Sequence, residues 1–211
     1  MTPQEISKIN VQAYKRAGFL TRLLCRLRPY ICPFDMLLEH VPHGASQFDI
    51  GCGNGVFLLL AKHYCHIQDS VGADVNEAAL ATADEAVESE RVEFIMSIRP
   101  QEWPNKQFDV VSMIDVMHHV PAVQQGIFLE KACEKVKNGG KIIYKDMAKK
   151  PFFFAFMNRL HDLVLARQWI TYFDKGEARQ ILKNQGFDIT YETVRTCYWY
   201  RHELIVAQKI K

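Results

Sequence analysis

Long apolar runs are missing from this chain. Its most hydrophobic stretch, residues 152–170, is interrupted by Asn158, Arg159, His161, Asp162 and Arg167, so no segment reads as crossing a bilayer core. Paired cysteines are missing too. Cys25, Cys32, Cys52, Cys65, Cys133 and Cys197 contain no CxxC spacing, which argues against a zinc ribbon or a disulfide framework and suits reduced thiols in a cytoplasmic protein. The first ten residues hold no apolar core of the kind a signal peptide needs. Lys and Arg number 26 against 24 Asp and Glu, and a net charge of +2 gives no strong field for nucleic acid. With no repeat, low-complexity tract or linker, 211 residues that are 48% hydrophobic suit one domain, residues 1–211.

What is present alternates. Residues 3–41 read as a helical N-terminal extension, with Ile6, Ile9 and Ala13, then Leu23, Leu24 and Leu27, at helical spacing, broken by Pro29 and Pro33. After Pro42-His43-Gly44, strand-like runs at 47–50, 70–74, 92–96, 108–114 and 140–146 alternate with helical runs at 56–63, 77–87, 122–136 and 152–170. Such alternation predicts parallel strands joined by crossover helices, an α/β doubly wound, Rossmann-like sheet. A helix at 177–184 is then followed by strand-like runs at 189–195 and 203–208 with nothing helical between them, which predicts an antiparallel hairpin.

The chemistry concentrates behind the first strand. In Asp49-Ile50-Gly51-Cys52-Gly53-Asn54-Gly55 three glycines alternate between a strand and a helix. They allow a sharp turn and close backbone approach, and the N–H groups of the following helix attract an anionic group such as a carboxylate. The second strand ends in Asp74, placed where a carboxylate can accept from ribose hydroxyls. A dinucleotide fingerprint needs Gly or Ala three positions after Gly53, and Val56 stands there, which counts against a nicotinamide-dependent reductase.

This run resembles motif I of the class I S-adenosylmethionine-dependent methyltransferases. Val71-Gly72-Ala73-Asp74-Val75-Asn76 resembles their motif II, Phe108-Asp109-Val110-Val111 through Asp115-Val116-Met117-His118-His119-Val120 resembles motif IV and its sequel, and Asn138-Gly139-Gly140-Lys141 resembles the turn before strand five. The resemblance implies a seven-stranded sheet with its last strand antiparallel, a catalytic core over 42–211 with a lid helix near 152–170, and S-adenosyl-L-methionine as cofactor without a metal. It further implies that Asp49, Gly51, Cys52, Gly53, Gly55, Asp74 and Val75 surround the cofactor, with Asp115 beside the reaction centre. Relatives often carry an Asp near position 98 for the adenine amino group. Here Ser97-Ile98 stand, and adenine contact is expected from backbone amides and apolar packing.

Methyl transfer to a protonated oxygen or carbon needs alignment, exclusion of water and a base. His161, His119 and Asp115 are the expected catalytic residues, with His118 as an alternative to His119. His161 shares a helical stripe with Met157 and Val164, inside an aromatic-rich segment whose rival reading is a membrane-surface helix. Amino-methylating relatives carry an Asn/Asp-Pro-Pro-aromatic signature where this chain has Ile114-Asp115-Val116-Met117. Arg28-Pro29-Tyr30-Ile31-Cys32-Pro33-Phe34 and Asn158-Arg159-Leu160-His161-Asp162-Leu163 resemble methyltransferases of aryl polyene or fatty-acid-like pathways. The expected acceptor is therefore a small or lipid-like, aromatic molecule, free or as an acyl group on a carrier. A non-catalytic cofactor-binding adaptor is the alternative.

Overall fold

The computed structural model describes residues 1–147, 173–198 and 200–210. In chain order these form α1 (Pro3–Ala13), α2 (Phe19–Ile31), α3 (Phe34–Leu38), β1 (Gln47–Ile50), α4 (Val56–Cys65), β2 (Ser70–Asp74), α5 (Glu77–Val87), β3 (Val92–Met96), β4 (Phe108–Ile114), α6 (Ala122–Glu134), β5 (Val136–Met147), α7 (Lys175–Asn184), β6 (Phe187–Cys197) and β7 (Tyr200–Lys209). The expected lid helix at 152–170, with His161, lies outside the described residues.

All seven strands join one sheet in the order β3-β2-β1-β4-β5-β7-β6. The first five pair in parallel, and β7 runs antiparallel to both β5 and β6, as the hairpin reading and the family resemblance both expect. Successive strand residues face opposite ways, so each strand feeds two cores. Val110, Ile143 and Val206 pack with the buried apolar residues of α1 to α4, whereas Val111, Ile142 and Ile205 pack with Leu129, Ala132, Ala178 and Leu182 of α6 and α7. Each fully buried Val, Ile or Leu among them is worth about 1.5–3 kcal/mol. Strand order reverses where β1 stands between β2 and β4, which opens a crevice at their carboxyl ends.

Several boundaries shift by two or three residues, and two differences have a physical reason. Strand β5 begins at Val136, not at 140, because Val136 pairs with Phe108 and the Asn138-Gly139-Gly140 turn falls inside the strand at a register shift. A side chain at Gly140 would lie 2.9 Å from the Asp109 carbonyl oxygen, which explains the small residue there. Pro29 does not break the first helical region; it sits inside α2. Proline there deprives the Cys25 carbonyl of its usual donor. The buried Asn10 side chain of α1 supplies one instead, with Nδ2 at 2.7 Å from that oxygen, and Ser7 Oγ donates to the Arg26 carbonyl at 3.0 Å. The N-terminal helices are thereby a joined pair packed on the sheet.

Candidate functional site

The glycine loop forms as its sequence demands. Gly51, Gly53 and Gly55 all have positive φ (72°, 52° and 75°), a region costly for residues with a Cβ. Gly51 and Cys52 N–H groups donate to the Ala73 carbonyl at 2.8 and 3.0 Å, and Gly53 N–H donates to Asp74 Oδ2 at 2.8 Å. Around Gly53 nothing lies within 4 Å of where a Cβ would stand, so the loop leaves open space at its tip. Behind the loop α4 begins, and its first N–H groups have no intrahelical acceptor. The N-terminal pair is tied in as well. Tyr14, almost fully buried, donates its hydroxyl to the Asn54 carbonyl at 2.6 Å.

Two carboxylates flank this loop in contrasting environments. Asp74 closes β2, where Oδ1 accepts from Asn76 N–H at 2.9 Å, and it lines the cleft with lone pairs to spare. Asp49 is 3% exposed, and burial raises its carboxyl to about 7, against the lowering effect of Ser112 Oγ donating at 2.6 Å. A buried acid of this kind fits a ligand ammonium, whose charge would offset the desolvation. Burial, then Asp49 and Asp74, push the Cys52 thiol well up, so it is no nucleophile at neutral pH.

At the far wall of the cleft, Val75 and Ile98 are each 65% exposed and Ser97 is buried. The backbone amides expected to meet an adenine are already engaged: Ser97 N–H donates to the Asp74 carbonyl at 2.9 Å and Ile98 N–H to Glu102 Oε2 at 2.6 Å. Of the two contacts expected there, apolar packing on Val75 and Ile98 is the one these residues offer.

Asp115 follows β4 with φ +56°, held in that uncommon conformation by its N–H donating to the Lys145 carbonyl at 2.9 Å. Its carboxylate accepts from Lys145 Nζ at 2.6 and 2.7 Å and from Arg28 at 2.7 Å. Burial alone would raise this carboxyl, but Lys145 and Arg28 hold it well below the usual carboxylate range. Such a group is a poor proton acceptor, which weighs against the catalytic role expected for it. His118 and His119 occupy a short 3₁₀ turn with ring centroids 4.1 Å apart. His118 is buried, its Nδ1 2.5 Å from Asp146 Oδ1 and its N–H donating to Asp146 Oδ2 at 3.1 Å, while His119 is exposed.

Glycine loop, Asp74, Asp115 and both histidines line one continuous cavity of about 1690 Å³, whose walls also include Leu23, Leu24, Leu27 and Arg28 of α2, Trp103, and Phe128. Sequence reasoning missed Arg28, Lys145, Asp146 and Tyr14. For Lys145 a signal existed, since a lysine after Ile142-Ile143-Tyr144 in a central strand needs a buried partner. Arg28 carries no such mark among the arginines of α2.

Known proteins share this architecture. Over 108 residues the chain is 29% identical to a ribosomal protein L11 methyltransferase of Burkholderia cenocepacia, covering 51% of this chain and 34% of the relative. A ubiquinone biosynthesis O-methyltransferase of Pseudomonas putida is 30% identical over 114 residues, covering 51% and 47%. The chain thus spans less than half the length of these curated relatives. The crystal structure of magnesium protoporphyrin IX methyltransferase from Synechocystis with bound S-adenosylhomocysteine superposes with a TM-score of 0.69 at 16% identity, covering 92% of this chain and 88% of that one. The family model of the methyltransferase domain matches residues 16–192, from the N-terminal helices through the glycine loop into β6, and the chain belongs to that family.

Proposed function

We propose that the protein transfers a methyl group from S-adenosylmethionine to a small or lipid-like acceptor, best an aromatic hydroxyl. The observation that carries this reading is the cavity. At about 1690 Å³ it exceeds the roughly 300–1000 Å³ of an ordinary small-molecule pocket, which leaves room for an acceptor beside a cofactor. The leucines of α2, Trp103 and Phe128 give the cavity apolar walls. A ubiquinone biosynthesis O-methyltransferase and a ribosomal protein L11 methyltransferase resemble the chain to the same extent, so the preference for a small apolar acceptor rests on the cavity walls.

S-adenosylmethionine supplies a methyl group already electrophilic at its sulfonium, so the chain's own work is to bind, orient, exclude water and take a proton. Asp74 would accept from the ribose hydroxyls, Asp49 would meet the ammonium of the amino-acid half, and the α4 N–H groups would meet its carboxylate. Asp115 anchors Arg28 and Lys145 and takes no proton. Of the remaining bases His118 is best placed, because it lines the cavity and Asp146 orients its ring through Nδ1. It would hold the acceptor's proton while the methyl group leaves sulfur for the acceptor oxygen, which would free S-adenosylhomocysteine. His119 packs against it, and the expectation for His161 stands on sequence alone.

The test is release of S-adenosylhomocysteine from S-adenosylmethionine with phenols and hydroxyaryl acyl thioesters. Turnover on these supports the proposal. Stabilisation by S-adenosylhomocysteine without turnover on any acceptor supports an adaptor instead, and stabilisation by NAD alone overturns both.

A further inference from the structure

Helix α2 buries only a narrow face, at Cys25 and Pro29. On the opposite side Phe19, Leu20, Leu23, Leu24 and Leu27 follow helical spacing and are 80%, 63%, 37%, 47% and 46% exposed. Five large apolar side chains on one helix face form a contiguous patch of the kind that marks an interaction surface. Exposed Arg22 and Arg26 flank it, one turn apart, and among the described residues neither enters an ion pair.

The charge around this helix is one-sided. Between Glu5 and Asp35 the sequence holds Lys8, Lys15, Arg16, Arg22, Arg26 and Arg28 and no acid; Arg16 pairs with Glu85 and Arg28 with Asp115, which leaves Lys8, Lys15, Arg22 and Arg26 outside any ion pair among the described residues. A second copy docking on the same face would bring two such segments together, at a cost in like-charge repulsion. An anionic bilayer satisfies both features, taking the leucines among its acyl chains and the arginines at its headgroups. At 13 residues α2 is too short to span it.

We propose that α2 is a membrane-surface helix that docks the protein on bilayers containing anionic lipid, with the cavity opening toward the membrane. Leu23, Leu24 and Leu27 belong both to the exposed face and to the cavity wall, so an acceptor dissolved in the bilayer meets the site without crossing water. The docking face itself stands whatever the acceptor, because it rests on α2 and not on the transfer chemistry.

The full chain is mixed with vesicles of phosphatidylcholine alone or with added phosphatidylglycerol, and bound protein is separated by sedimentation. Binding to the mixed vesicles that falls steeply with salt is expected. Phe19 and Leu20 are exposed and do not line the cavity, so F19E/L20E should lower binding by on the order of tenfold or more while the thermal shift with S-adenosylhomocysteine is kept. R22Q, which changes charge alone, should lower binding to the mixed vesicles by a smaller factor. No vesicle binding by the wild type, equal binding by F19E/L20E, or a dimer that F19E/L20E dissociates would each overturn the proposal.

Discussion

Replacing Asp49 with Asn should flatten the dependence of stability on pH. The Asp49 carboxyl rises from 3.8 in the unfolded chain to about 7 in the folded protein, chiefly through burial. A raised carboxyl binds its proton more tightly in the native state, so its contribution is fully present below the unfolded value and is lost as pH rises through the folded one. At about 1.4 kcal/mol per pH unit the whole displacement is worth about 4 kcal/mol, of which about 3 kcal/mol falls between pH 5 and pH 8. Urea unfolding of wild type and Asp49→Asn at both pH values measures it. The variant's extra amide hydrogens cost stability equally at each pH, so the difference in slope is the diagnostic. Binding of S-adenosylhomocysteine, whose ammonium favours the ionised acid, should release protons at pH 6, read by calorimetry in buffers of different ionisation enthalpy. Equal pH slopes in the two proteins, together with a binding enthalpy indifferent to buffer, would refute the reasoning.

Asp74→Ala should weaken S-adenosylhomocysteine binding by about 1.5–3 kcal/mol in calorimetry, since it removes charge-assisted acceptors for the ribose and also the partner of Gly53 N–H. Asn10→Ala should lower stability by about 1–3 kcal/mol by orphaning the Cys25 carbonyl, and Pro29→Ala in the same chain should restore most of it by returning a backbone donor; denaturant midpoints at unchanged m-value decide this. If His118 is the base, His118→Phe should lower turnover on a phenol on the order of 100-fold with cofactor affinity retained. His161→Phe under the same assay separates the two histidines: a loss on that variant alone moves the base to His161.

Much of this architecture could be read from the chain because local and global signals agree. The glycine triplet lies between an apolar strand and an apolar helix, and nothing but a positive-φ turn fits there. The hairpin at the end followed from two β-type runs without an intervening helix. Pro29 misled because a neighbouring helix repairs the break: only the tertiary contact from Asn10 makes proline tolerable inside α2. The amides of Ser97 and Ile98 were unreadable for the same reason, since their acceptors, the Asp74 carbonyl and Glu102, come from other segments or from a turn the sequence does not announce. Asp115 was expected to be catalytic because the family resemblance implies a place for it beside the reaction centre. Its chemistry is set by Lys145 and Arg28, 30 and 87 positions away, and no periodicity records such a meeting.

The Tyr14 hydroxyl resting on the Asn54 carbonyl makes the first helices and the glycine loop a single opening unit. Local unfolding of α1 and α2 would expose that buried tyrosine and release the loop's backbone, so a ligand seated on the loop disfavours the open form. By reciprocity, whatever holds the two helices down tightens ligand binding by the same factor. Amide hydrogens of α1, far from any reacting atom, should therefore exchange more slowly when the loop is filled.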